Sequence, residues 1–445
     1  MNFAAGFPVW WPMAYTPSSV CTVVVNLFQD VSGMSESPVL KHSRAMGDWI
    51  VSKRRHLHQI PELGYEEHKT SAFIRQTLDE LQVKWEGPIA GTGIVATISG
   101  GSGPCVALRA DIDALPIVEE ADIDFPSQHP GRMHACGHDC HTAMLLGAAR
   151  LLKQWESSLP GTVKLFFQPA EEGGAGAERL CDAGVLDNPR VERIFGLHVW
   201  PVTPTGKITS RAGTFMAATG FMKLHVRGVG GHAAMPHLAV DPLVTAAKLV
   251  CELQTIVSRE VDPLNSGVVS VTTFHAGDAT NVIPQQVELS GTMRSLTMEG
   301  LVYLQKRIRE IAHHVAAANR CEATVEFLGT NFPPTVNDGG LWNLAQQIGR
   351  DLLGADAIVE SAPVMGGEDF AFYARRIPGC FVGLGIRNEA VGSTYSVHHP
   401  RFKVDEAALP LGTALHVEFA LRSLQECGGR TRGTTPWSQP PVATR

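Results

Sequence analysis

Val163-Lys-Leu-Phe-Phe167 runs directly into Gln168-Pro-Ala-Glu-Glu-Gly-Gly174. Five residues, all apolar but Lys164 and stopped by proline and glycine, are too few for a helix and suit a strand buried on both faces. Working outward, comparable apolar stretches lie at 94–98, 105–109, 193–199 and 380–385. Helical patterns fall around them, from Ile50 to Arg55, from Glu66 to Leu81, at 141–155 and at 340–353. This alternation predicts an α/β fold whose large domain has a mostly parallel sheet covered by helices. Such sheets place their chemistry just beyond the carboxyl ends of their strands.

The stretch 217–331 reads differently. Strand 221–226, helix 241–258, strands 267–274 and 286–294, helix 298–318 and strand 323–328 follow the order β-α-β-β-α-β, a ferredoxin-like unit. Leu301, Leu304, Ile308, Ile311 and Val315 share one face of the second helix, as packing on a small sheet requires. The expected organisation is an N-terminal extension (1–45), a large domain in two parts (46–216 and 332–424) interrupted by the inserted unit (217–331), and a loose tail (425–445). The first 29 residues carry no charge, yet they lack a basic leader and are broken by Pro8, Pro12 and Pro17, which argues against a secretory signal and a membrane span.

The 445 residues are 18% charged and 44% apolar, with net charge −7, a globular composition that excludes a nucleic-acid binder and offers no basic tract for a membrane surface. Nine cysteines, an odd number at irregular spacing, argue against a disulfide framework. The expected compartment is reducing, the cytoplasm, with the extension as the place for any targeting segment. A chain this long buries its own cores, so a bound metal would be functional.

Chemistry concentrates in His134-Ala-Cys136-Gly-His138-Asp139-Cys140-His141. Thiolate and imidazole are good ligands for zinc and related ions, and Cys136 and His138 could both reach one site from an extended loop. Cys140 and His141 read as capping or packing residues, and Asp139 as a carboxylate holding a ligand's imidazole N–H. Glu171 and Glu172 are either an exposed acidic turn or a pair stabilised by a cation, with Glu172 on the metal and Glu171 as general base. Asp111 and Asp113, in an apolar run, need cationic or N–H partners and suit a place behind the ligands. His198, alone, reads as a packed core histidine or a ligand. One of His398 and His399 suffices as a ligand.

The ordered motifs resemble the aminoacylase and carboxypeptidase family of two-metal hydrolases, in its amidohydrolase branch, which includes auxin-amino acid conjugate hydrolases and hippurate hydrolases. The likeness runs from about Arg54 to Leu421 through Arg55 to Leu63, Arg109 to Pro116, His134 to His141, Gln168 to Gly173, Gly196 to Trp200, Gly230 to His237, Asn281 to Pro284, Gly366 to Phe370 and Val397 to Pro400. It implies two divalent ions, manganese or zinc before cobalt or nickel, on Cys136, His138, Glu172, His198 and His398, with Glu171 as base. It also implies that the inserted unit is a lid and dimerisation surface, and that His232 polarises the scissile carbonyl, in its own or a partner's site. Asn281, Arg294, Gly366 and Gly367 would hold the substrate. The expected activity is hydrolysis of N-acyl amino acids, with a dipeptidase or carboxypeptidase, or a catalytically silent binder of acyl amino acids, as alternatives.

Overall fold

A computed structural model of the protein describes residues 36–429. The parts of the expected extension and tail at 1–35 and 430–445 lie outside the described residues.

Eight strands form the main sheet. Its four central members, Thr162–Gln168, Cys105–Asp111, Val191–Pro204 and Gly379–Arg387, run parallel in that spatial order. Lys84–Ile89 and Gly93–Ser99 extend one side antiparallel. On the other side, Ile208–Ser210 lies antiparallel to Gly379–Arg387 and parallel to Ile358–Glu360. The sheet is therefore mixed, with a parallel centre.

The apolar run at 163–167 shows why the centre is buried. Val163, Leu165 and Phe167 point into one core with Leu145 and Leu146 of helix His138–Gln154 and Leu415 and Phe419 of helix Ala408–Cys427. Phe166 points the other way, into a second core with Phe215, Tyr373 and Phe381. Period-two alternation thus serves two apolar faces at once.

Residues 218–332 form a separate layer: strand Ala218–Arg227, helix Pro242–Thr255, strands Gly267–Ala276 and Gln286–Ser295, helix Met298–Ala318 and strand Glu322–Phe332. The four strands are antiparallel, in the order 267–276, 286–295, 218–227, 322–332. Asp241 and Thr297 cap the two helices by accepting from backbone N–H groups in their first turns. Leu301, Leu304 and Ile308 pack with Met222, Leu224, Leu289 and Met293. Alternation sends Phe221 and Arg294 to the opposite face.

Three expected boundaries move. Helix His138–Gln154 starts at His138, not at 141, because Gly137 adopts φ of +91° and turns the chain into the first helical residue. The supposed extension contains a helix, Pro38–Ala45, in which Val39 and Leu40 are buried in the main core and Ser43 Oγ donates to Pro410 O at 2.6 Å. The last helix continues through residue 425 to Cys427. No described helix is long and apolar enough to cross a membrane.

If Pro38–Ala45 is part of the main core, Leu40→Ala will lower the unfolding free energy by about 2–4 kcal/mol in urea denaturation, as buried leucine truncations do. A loose extension would give no change.

Candidate metal centre and cleft

The candidate residues converge at the carboxyl end of the parallel strands. Asp111 is the last residue of its strand, and Glu171 and Glu172 follow strand Thr162–Gln168 after Ala170, whose φ is +51°. His198 departs from the expectation, for it lies inside strand Val191–Pro204. Cys136 and His138 flank Gly137, where an added Cβ would come within 2.4 Å of Val199 Cγ2, so only glycine fits. His398 has φ of +64°, and its N–H donates to Ala135 O at 2.8 Å, joining its loop to the Cys136 loop. Left-handed backbone at a histidine is sustained by the surrounding structure.

Cys136 belongs to two overlapping groups. Its ligand atom and those of His138 and His198 lie within 4.8 Å of one another, as do those of Cys136, Glu172 and His398. Cys136 Sγ is 3.3 Å from His198 Nε2, and Glu172 Oε1 is 3.0 Å from His398 Nε2. His198 Nδ1 donates to Val199 O at 2.7 Å, so Nε2 carries the lone pair. His138 Nδ1 meets Asp113 O at 2.9 Å and Asp113 Oδ1 at 3.1 Å, which leaves its buried Nε2 with no hydrogen-bond partner among the described residues. The first group offers thiolate and imidazole and the second adds a carboxylate, donors suited to a divalent ion, and His138 Nε2, 3.6 Å from Asp111 Oδ2, is an atom such an ion would satisfy. His138, Glu171 and Glu172 form a further group of the same compactness.

Charge shifts agree with a place that attracts cations. Burial, then Glu368 and Glu172, drive the Glu171 carboxyl well above its ordinary pKa. Burial, then Glu172 and Glu171, do the same to the Cys136 thiol. For His138, burial opposes the charged form, but Asp111, Asp113 and Glu172 outweigh it and raise the imidazole to about 10. Burial also works against the Glu172 carboxylate, yet His398 and His138 hold it below the usual range.

Behind the cluster lies Arg109, 1% exposed. Its guanidinium contacts Asp111 Oδ2 at 2.8 Å, Glu368 Oε1 at 2.9 Å, Asp369 Oδ1 at 2.8 Å and Gln168 Oε1 at 2.8 Å. Glu368 and Asp369 in turn group with Glu171. Sequence reasoning missed Glu368, Asp369 and Gln168 as partners of this site, although Gly366-Gly-Glu-Asp-Phe370 had stood out as a motif; a charged pair beside two glycines in an apolar context was the available signal. Asp113 was seen, and its role is the one expected of Asp139. Asp139 itself is turned away, with Oδ2 2.8 Å from both Arg54 Nε and His58 Nδ1. It holds an imidazole, but not that of a candidate ligand, because consecutive helical residues point about 100° apart.

A cleft of about 620 Å³ opens in front. Cys136, Glu171, Glu172, His198 and His398 line one part; Trp200, Met216, Phe221, Phe332 and Val364 form an apolar wall, and Gly366, Gly367, Thr219 and Arg294 complete it. Arg294 stacks over Phe221 at 5.4 Å and has no carboxylate partner among the described residues; burial lowers its pKa. His232 and Asn281 are not brought to this cleft. Both are exposed at a two-stranded ribbon in which Gly231–His232 pairs with Val282–Ile283.

Removing the charge of Arg109 in Arg109→Met will leave Asp111, Glu368 and Asp369 buried without it. The expected loss is about 3–5 kcal/mol, the size found on breaking buried ion pairs, measured by urea unfolding of metal-free protein. A change below 1 kcal/mol would contradict the ion-pair account.

The chain is similar to known proteins along most of its length. The chain is 46% identical over 407 residues to IAA-amino acid hydrolase ILR1-like 4 of Arabidopsis thaliana, covering 90% of this chain and 92% of that protein. It is 40% identical over 376 residues to N-acetyl-L-cysteine deacetylase of Bacillus subtilis, covering 84% and 88%. The crystal structure of Bacillus subtilis YXEP protein, described as a dinuclear metal binding peptidase from the M20 family, superposes with a TM-score of 0.74 at 37% identity over 86% of this chain and 99% of that one. Residues 107–422 match the family model for peptidase family M20/M25/M40. With Cys136, His138, Glu172, His198 and His398 gathered around Glu171, and with relatives this close along almost their full length, the chain belongs to peptidase family M20/M25/M40.

Proposed function

We propose that the protein is a metal-dependent amidohydrolase that cleaves N-acyl amino acids into a carboxylic acid and a free amino acid. The observation that carries this reading is the pair of donor groups sharing Cys136 beside the buried Glu171, in one cleft with the guanidinium of Arg294, which has no carboxylate partner among the described residues. The named activities of the plant and bacterial relatives, on IAA-amino acids and N-acetyl-L-cysteine, belong to the same class.

In this reading Cys136, His138, Glu172, His198 and His398 hold two divalent ions, manganese or zinc. Those ions would supply Lewis-acid polarisation of the amide carbonyl and a more acidic water. Glu171 takes the proton of the attacking water and hands it to the leaving nitrogen, which suits a carboxyl whose proton affinity burial has raised. Arg294 grips the free carboxylate, with Gly366 and Gly367 beside it, and the Trp200, Met216, Phe221, Phe332 and Val364 wall takes an apolar acyl group. A dipeptide would place an ammonium near that wall, where burial without a partner is unfavourable, so an uncharged acyl group is the better fit.

Residues 217–331 act as a ferredoxin-like lid on a large domain made of 46–216 and 332–424. His232 serves a partner subunit's cleft in a homodimer formed through the lid, and Asn281 lies beside it. Ala234 N–H donates to His232 Nδ1 at 3.1 Å, so Nε2 bears the proton and can stabilise an oxyanion.

Glu171→Gln will retain two ions and lower kcat by about 10²–10⁴, the range of general acid-base catalysis. Hippurate, N-acetyl amino acids, indoleacetyl conjugates and dipeptides offered side by side to metal-reconstituted protein will show the acyl substrates ahead. Near wild-type turnover by the Gln variant with metal saturating would sink the assignment. Arg294→Ala will raise KM by about tenfold or more, as loss of a charged hydrogen bond does, with a smaller effect on kcat. A chelator will abolish turnover and leave the far-ultraviolet circular dichroism unchanged.

A further inference from the structure

His141 lies in a compact group with Asp111 and His138, and its ring centroid is 4.5 Å from that of His198. It is fully buried, and neither of its nitrogens is available to an ion. Val199 N–H donates to Nε2 at 2.9 Å, so Nε2 must present a lone pair. Nδ1 therefore carries the proton, which it donates to Asp111 Oδ1 at 2.6 Å. Asp111 is itself held by Arg109 through Oδ2, and its carbonyl accepts from Thr142 Oγ1 at 3.0 Å.

The need for this arrangement comes from the sheet. Strand Val191–Pro204 outruns its neighbour Cys105–Asp111, whose pairing ends at Arg109 opposite Gly196. Beyond that point the edge facing Cys105–Asp111 has no ladder partner among the described residues, while Gly379–Arg387 continues on the other side. Val199 stands on the bare edge, and side chains take up both of its polar groups. His141 accepts from its N–H, and the ring of His198 donates to its C=O. The second bond aims His198 Nε2 at Cys136 Sγ. His141 thus anchors the residue on which the His198 ring is hung.

We infer that His141 is a positioning residue for metal binding: through Asp111 it is locked as the Nδ1–H tautomer, and through Val199 it fixes the direction in which His198 presents Nε2. The chain Arg109, Asp111, His141, Val199, His198 connects the buried guanidinium to a candidate ligand without His141 touching the ion. The inference rests on the two-ion reading of the cluster and deepens it.

Two substitutions separate the arms of the ring. Gln at 141 can place an acceptor near the position of Nε2, whereas Asn can replace the Nδ1–H donor but is too short to reach Val199. Ion affinity is measured by competition with a chelator and stoichiometry by elemental analysis, both on full-length protein without substrate. The expected result is that His141→Asn weakens the binding of one ion by about 10–100-fold, the usual effect of losing a group behind a ligand, while His141→Gln stays within about threefold of wild type. Both variants then bind two ions at saturation. Loss of one ion from the stoichiometry in both would make His141 a ligand and overturn the inference, as would wild-type affinity in both. Nitrogen NMR of histidine-labelled wild-type protein gives a test that needs no variant. His141 should show the Nδ1–H tautomer before and after manganese-free zinc loading, and a zinc-induced shift of Nε2 to a coordinated value would overturn the assignment. A wild-type chain that bound no divalent ion would overturn the two-ion reading first, and the role given to His141 with it.

Discussion

A single buried guanidinium among too many carboxylates is the constraint on which the rest depends. Asp111, Asp113, Glu171, Glu172, Glu368 and Asp369 are gathered at one end of the sheet, and Arg109 touches three of them, Asp111, Glu368 and Asp369. Two like charges 4 Å apart repel by about 4 kcal/mol at an effective dielectric of 20, so the group cannot all ionise without more positive charge. Burial first, and this crowding after it, raise the Glu171 and Cys136 pKa values, while at His138 burial opposes the proton but Asp111, Asp113 and Glu172 outweigh it. Divalent ions would supply the positive charge, displacing protons and fixing the donors in place. The parallel strands supply the means, because their carboxyl ends all open on one edge and deliver residues far apart in sequence to the same few ångströms.

Local pattern was enough for much of this. The strand at 163–167 and the Glu-Glu turn after it stand where a short apolar run with a proline-glycine stop should put them, and the His-Cys cluster could be recognised from its ligand types alone. What escaped was set by partners distant in the chain. Arg109 and Asp369 are separated by 260 positions, and nothing near either residue announces the other. Asp139 was misread for a different reason: only the rotation of helix His138–Gln154 decides that its carboxylate meets Arg54 and His58, leaving Asp113 to face His138. That rotation is set by Gly137, whose positive φ also moves the helix start by three residues. The helix at 38–45 was hidden by the uncharged, proline-broken stretch before it, and its apolar residues become meaningful only once the last helix offers a surface. His141 read as a packing residue because its task, completing the edge of a strand, exists only in the assembled sheet.

The two layers divide the work. The large layer carries every candidate ligand: Cys136 and His398 on loops, Glu172 just past a strand, His198 in a strand and His138 at the start of a helix. The four-stranded layer contributes Arg294 and Phe221 to the lining of the cleft from its helix-free face. His232 and Asn281 sit on this layer but outside the cleft of their own chain, which is the arrangement expected if the site is completed by a second copy.

The central claim is that Cys136, His138, Glu172, His198 and His398 would hold two divalent ions, Cys136 being common to both groups of donors. Anomalous diffraction from crystals of zinc-loaded protein, recorded at the zinc edge, tests it most directly. The account predicts two peaks about 3.5–4 Å apart, the spacing of two-metal hydrolytic sites, one beside His138 or His198 and the other beside Glu172 or His398, with Cys136 Sγ within bonding distance of at least one. A single peak, or peaks outside this group of residues, would contradict it.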